Sequence, residues 1–153
     1  MYSQEELDKI KTKILKYIIY KKRTEKEIRQ KFADLPTDIL EDIIEYLKEA
    51  GYINDKEYIK KSIQEYINLN NMSIKEISYK LQAKGIEKKD VEDFIIENRE
   101  SLIEYEINSA LKLIQKKQRM MEDEQIRNYL YKKGYMNETT NIAYENLKSI
   151  EGA

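Results

Sequence analysis

The segments TEKEIRQKF from Thr24, SIKEISYKL from Ser73 and EDEQIRNYL from Glu122 recur at a constant spacing of 49 residues. Such a repeat narrows the fold more than composition does, because one copy is too short to bury its own apolar face and must stack on a neighbour. In this frame Ile28, Ile77 and Ile126 are each followed four residues later by Phe32, Leu81 and Leu130, one turn further along the same helical face. Thr24 with Glu27, and Ser73 with Glu76, have the spacing of a capping box, in which a hydroxyl and a carboxylate satisfy each other's free backbone amides. Gln125 takes the carboxylate's place in the third copy, where Glu122 is the poorer cap. Gly85 and Gly134 share the 49-residue spacing and suit the left-handed residue that ends a helix. The first copy has ADLP there, and its Pro36 is expected to open the next helix, since the amide it lacks is unpaired in a first turn anyway.

Each short middle helix has two longer partners with the 3.6-residue period. Leu7, Ile10, Ile14 and Ile18 precede the first, and Ile39, Leu40, Ile43, Ile44 and Leu47 follow it. Ile59, Ile63, Tyr66 and Ile67 precede the second, with Val91, Phe94 and Ile95 after it. Ile103, Ile107, Ala110, Leu111 and Ile114 precede the third, with Ala143, Leu147 and Ile150 last and Asn137 as the expected cap. KYIIY, from Lys16, has strand-like composition but lies inside a longer helical stripe. The expectation is an all-α, elongated, curved array of three tandem three-helix repeats, about nine helices without a β-sheet, over residues 1–53, 54–100 and 101–150. GYIND, from Gly51, reads as the corner between the first two repeats and sets their angle. Gly51 ends one helix, Tyr52 and Ile53 tuck into the junction, and Asn54 or Asp55 caps the next.

The chain has no histidine and no cysteine, which removes most nucleophile and general-base constellations and every thiolate metal site. Asp38, Glu41 and Asp42, and Asp90, Glu92 and Asp93, lie in first turns where acids suit the helix dipole, so they read as solvated faces. No glycine-rich phosphate loop is present. Enzymatic activity, a cofactor and a metal are therefore not expected. With 28 basic against 29 acidic residues, and near balance in every third, no global field draws the chain to nucleic acid. Positive charge gathers locally in KLIQKKQR, at Lys112, Lys116, Lys117 and Arg119, and continues in Arg127, Lys132 and Lys133. Lys60, Lys61, Lys80 and Lys84 form a looser set. Both sets are candidate partner-binding residues, set against the ordinary preference of lysine for helix C-termini. Most of the thirteen tyrosines read as core-edge residues with the phenol reaching water, while Tyr79, Tyr129 and Tyr131 flank the repeat stripe where a partner could touch them. The N-terminal MYSQEELDKI has no leader pattern and no stretch is long and apolar enough to span a membrane, so a cytoplasmic protein is expected; a monomer is the separate expectation for its assembly.

GYINDKEYI, SIKEISYKLQAKGI and IRNYLYKKGY, in that order and spacing, resemble the RecX family of RecA regulators across nearly the whole chain, from Lys9 to Leu147. Gly51, Tyr52, Asp55, Ile77, Leu81, Gly85, Ile126, Leu130 and Gly134 are the structural signature of that resemblance. It implies a curved all-helical repeat that lies in the groove of the RecA–DNA filament. It also implies damping of filament extension, ATP hydrolysis, strand exchange and co-protease activity, in the setting of homologous recombination, DNA repair and the SOS response. Relatives are more basic where this chain has QEYINLNNMS, residues 64–73, which implies weak direct DNA binding here. The competing reading is a small helix-turn-helix-like DNA-binding regulator that acts without RecA.

Overall fold

The computed structural model describes residues 1–152, and among them the regular structure is helical throughout. The helices are α1 (Gln4–Tyr20), α2 (Glu25–Lys31), α3 (Thr37–Glu49), α4 (Asp55–Leu69), α5 (Ile74–Ala83), α6 (Lys88–Glu97), α7 (Arg99–Lys117), α8 (Asp123–Lys133) and α9 (Asn137–Glu151). In α2, α5 and α8, the recurrent middle helices, Ile28, Ile77 and Ile126 are all buried, and so are Leu81 and Leu130 one turn later. The all-α repeat reading is thus the fold of the chain.

The chain forms two compact units, Met1–Lys60 with Ala83–Ile86, and Lys61–Gln82 with Glu87–Ala153. In the first, Ile14 and Ile18 of α1, Ile28 of α2, and Leu40, Ile43, Ile44 and Leu47 of α3 close one core that Ile53 completes. In the second, Ala110, Leu113 and Ile114 of α7 pack with Ile126 and Leu130 of α8 and with Ala143, Tyr144 and Leu147 of α9. Each fully buried Ile or Leu side chain contributes about 1.5–3 kcal/mol relative to exposure, so α2 and α8, too short to persist alone, are held by these cores.

One interaction recurs in both units with the period of the sequence. Thr24 Oγ1 accepts the amide of Glu27 (3.1 Å) and donates to the carbonyl of Lys84 (2.6 Å). Ser73 Oγ accepts the amide of Glu76 (3.1 Å) and donates to the carbonyl of Lys133 (2.7 Å). Both hydroxyls are fully buried. The capping box at the start of one middle helix is thereby latched to the end of the next one along the chain. Gly85 (φ +101°) and Gly134 (φ +97°) follow the two acceptor carbonyls. A Cβ on Gly85 would stand 2.5 Å from Cβ of Lys26, and one on Gly134 2.9 Å from Cβ of Lys75. Glycine is required there for its conformation and for the close approach. Glu122, at the equivalent position of α8, receives the Gln125 side chain on its amide (3.1 Å), but a carboxylate has no proton to donate onward.

A carboxylate joins each latch. Asp55 Oδ1 accepts the amide of Glu25 at the start of α2 (3.2 Å), and Glu106 Oε1 accepts that of Ile74 at the start of α5 (3.0 Å). Glu106 is wholly buried, and its other oxygen takes the Thr139 hydroxyl (2.8 Å) and the Met136 amide (3.5 Å).

Several details depart from the pattern-based expectations. Asn54 is the cap of α4, its side chain accepting the amide of Glu57 (3.1 Å), and Ile53 is buried, but Tyr52 points outward and is 48% exposed. The amides of Tyr52 and Ile53 both return to the carbonyl of Leu47, which turns the Tyr52 ring away from the core. Asn137 does not cap α9. Met136 holds that position, because Glu106 and the Thr139 hydroxyl already satisfy the local backbone. Pro36 likewise sits just before α3, as its N-cap. The buried face of α7 is Leu102, Tyr105, Glu106, Ser109, Ala110, Leu113 and Ile114, so Ile103, Ile107 and Leu111 are only half-buried, and Ile150 of α9 is exposed. Two tyrosines keep their phenols inside. Tyr105 donates to the carbonyl of Met72 (2.7 Å), and the Tyr135 hydroxyl pairs with that of Ser109 (2.6 Å).

Candidate partner-binding surface

The end of α7 and the length of α8 bring part of the basic set together around Tyr129. The ammonium of Lys117 lies 4.6 Å, and that of Lys133 5.7 Å, from the centre of the Tyr129 ring. Tyr129 and Lys133 are four residues apart on α8 and share a face, while Lys117 reaches in from α7. Cations over an aromatic face at exposed sites gain about 0.5–1 kcal/mol each, so the ring holds two positive groups close together. Lys133 also approaches Glu76 at 3.6 Å, which orients it and leaves Lys117 the freer charge.

Lys112 and Lys116 are exposed and four residues apart, forming one stripe of α7, with Arg119 just beyond its end. Lys132 is exposed beside Lys133. Arg127 projects differently. It donates to Oδ1 of Asn141 (2.7 Å) and its guanidinium lies 4.2 Å above the Tyr144 ring, so it braces α8 on α9. The looser set is divided, Lys60 and Lys84 belonging to the first compact unit, Lys61 and Lys80 to the second. All four are exposed, and Lys80 lies 6.0 Å from the Tyr66 ring. Tyr79 and Tyr131 are exposed. Among the signature residues, Ile77, Leu81, Ile126 and Leu130 are core, Gly51, Gly85 and Gly134 have positive φ, and Asp55 is a capping acceptor.

The chemistry available on this surface is anion binding by ammonium groups on a helical support. No helix among the described residues is long and apolar enough to cross a membrane. Two polar residues with structural roles, Glu106 and Ser109, escape a sequence reading, since one acid and one serine on a helix rich in both carry no signal of burial.

A series of short helices latched in this way belongs to the class of all-α repeat proteins. Regulatory protein RecX of Finegoldia magna is 41% identical over 85 residues, covering 54% of this chain and 42% of its own length. Regulatory protein RecX of Streptococcus mutans is 31% identical over 140 residues, covering 87% of this chain and 53% of its own. The crystal structure of RecX from Lactobacillus salivarius superposes with a TM-score of 0.78 at 26% identity, over 93% of this chain and 96% of that one. No protein-family model matches the sequence. The chain belongs to the RecX family. It spans about half, or less, of the length of the curated relatives it matches.

Proposed function

We propose that this chain modulates RecA, mainly as a negative regulator, by occupying the groove of the RecA–DNA filament. Filament extension, ATP hydrolysis, strand exchange and co-protease activity are all damped in that case. The observation that carries this reading is membership of the RecX family, whose fold it shares over almost its entire length. The proposed action is non-enzymatic and cytoplasmic. Its relatives are named regulatory proteins, and the surface described above offers binding chemistry only. Contacts spread over several repeats act together by raising effective concentration, so that individually weak patches give a firm hold. The basic residues Lys112, Lys116, Lys117, Arg119, Lys132 and Lys133 supply the edge that meets the partner.

Titration into RecA hydrolysing ATP on single-stranded DNA tests this. The expected result is a fall in hydrolysis and in filament length at stoichiometric protein, and no change in either overturns the proposal. The variant Lys116→Glu, Lys117→Glu, Arg119→Glu should keep its helicity and lose most of the inhibition. Full inhibition by that variant would remove the α7 end from the contact surface. Tight binding of the isolated protein to duplex DNA, with log K falling by roughly 0.9 per phosphate neutralised as log salt rises, would favour direct DNA regulation instead.

A further inference from the structure

The second compact unit contains an open cleft of about 410 Å³ between α5, α6, α7 and the segment leading into α9. Its walls are apolar, built largely from Ile95, Leu102 and Ile103. At the rim Ile96 is 70% exposed and Met136 43% exposed, an apolar surface that continues beyond the cavity itself. The polar character of the cleft is one-sided. Lys75 and Arg99 line it and are exposed to solvent. Its sole acid is Glu106, which is wholly buried and already occupied by the Ile74 amide, the Thr139 hydroxyl and the Met136 amide. The carboxylate therefore holds the floor in place, whereas Arg99 and Lys75, the latter with its ammonium 5.9 Å from the Tyr79 ring, remain for an occupant's acids.

From this geometry we propose that the cleft is a docking site for a protein segment presenting a bulky aliphatic side chain flanked by carboxylates. The aliphatic group fills the cavity and the acids meet Lys75 and Arg99. An occupant small enough to sit inside the cavity would leave Ile96 and Met136 in water, whereas a peptide laid across the mouth covers both. This is the arrangement of recognition by an apolar anchor in a groove with a complementary charged rim. The inference stands on the cleft alone and does not require the RecA reading.

The test is an amide chemical-shift titration of the full chain with a short synthetic peptide that sets an Ile-Leu pair among glutamates. The expected result is saturable shifts concentrated at Ile74, Ser78, Ile96, Arg99, Leu102 and Met136. Replacing the Ile-Leu pair by alanines, or the glutamates by lysines, should weaken binding by about tenfold or more, as loss of a central anchor does. Ile96→Glu and Arg99→Glu alter exposed side chains, so both variants should keep the helical circular dichroism of the parent while losing affinity to a similar degree. The proposal is overturned by the absence of shifts at these residues, by equal binding of the lysine peptide, or by full affinity in Ile96→Glu. It is also overturned if a simple fatty acid produces the shifts and the peptide does not.

Discussion

Gly51, Gly85 and Gly134 share a left-handed backbone, with φ of +83°, +101° and +97°, but differ in surroundings, and that difference predicts a ranking. A Cβ at Gly51 meets nothing within 4 Å, so Gly51→Ala should destabilise only through its backbone, by about 1–2 kcal/mol. A Cβ at Gly85 or Gly134 would collide with the Lys26 or Lys75 stem at the point where the latch closes. Overpacking then adds about 1–3 kcal/mol. Denaturant unfolding of the three alanine variants should therefore place Gly85→Ala and Gly134→Ala well below Gly51→Ala, and equal midpoints would contradict the close approach. Glu106 invites a second measurement. Glu106→Ala leaves the Ile74 amide without its acceptor in a dry site, at about 1–3 kcal/mol, while the Thr139 hydroxyl keeps the Met136 carbonyl. Glu106→Gln keeps one accepting oxygen but turns an NH₂ towards the other donor, so it should lie between alanine and the parent in the same assay.

At the scale of the element, the hydroxyl latch makes Thr24 and Ser73 more than caps. An exposed N-cap removed to alanine loses about 1 kcal/mol. Here the same hydroxyl also satisfies a buried carbonyl, so Thr24→Val and Ser73→Ala should each lose that amount and about 1 kcal/mol more. Thr24→Ser should be nearly neutral, and hydrogen exchange should show the amides of α2 or α5 opening first in the damaging variants. A loss no larger than that of an ordinary surface cap would argue that the bond to Lys84 or Lys133 carries nothing. The capping boxes, the glycine stops and the apolar pairs could be read from the sequence because each is settled within one or two helical turns. The latch could not, since Thr24 and Lys84 are sixty residues apart and neither residue type advertises the other. The face of α7 was displaced for a related reason. Counting apolar residues selects Ile103, Ile107 and Leu111, whereas burial follows Tyr105, Glu106 and Ser109, whose polar atoms find partners inside. The basic segment was legible as composition, but the placement of Lys117 and Lys133 over one tyrosine ring depends on how α8 packs on α7.

For the whole molecule, the absence of histidine means that no imidazole titrates around neutrality, and the pH dependence of stability is set at its two ends. On the acid side, partial burial raises the Glu25 carboxyl, but hydrogen bonds from Lys48 and Arg29 outweigh it and hold the group below its ordinary value of 4.5. Its small, partly solvated contribution is thus present above that value and fades as pH falls through the lower, folded one. The alkaline side is sharper. Burial drives the phenols of Tyr105 and Tyr135 above the ordinary value of 10.0, although hydrogen bonds from Met72 and Ser109 work in the opposite direction. A neutral phenol is the form that the folded chain holds, so this stability is fully present below the unfolded value and is lost as pH rises through the raised, folded ones. Titration of phenolate absorbance in the native protein should accordingly show a delayed group that ionises together with loss of helical circular dichroism. In denaturant the delay should vanish. Tyr135→Phe and Tyr105→Phe should each shrink the delayed group. A native titration that follows the denatured curve throughout would mean that the phenols of Tyr105 and Tyr135 are not sealed from water.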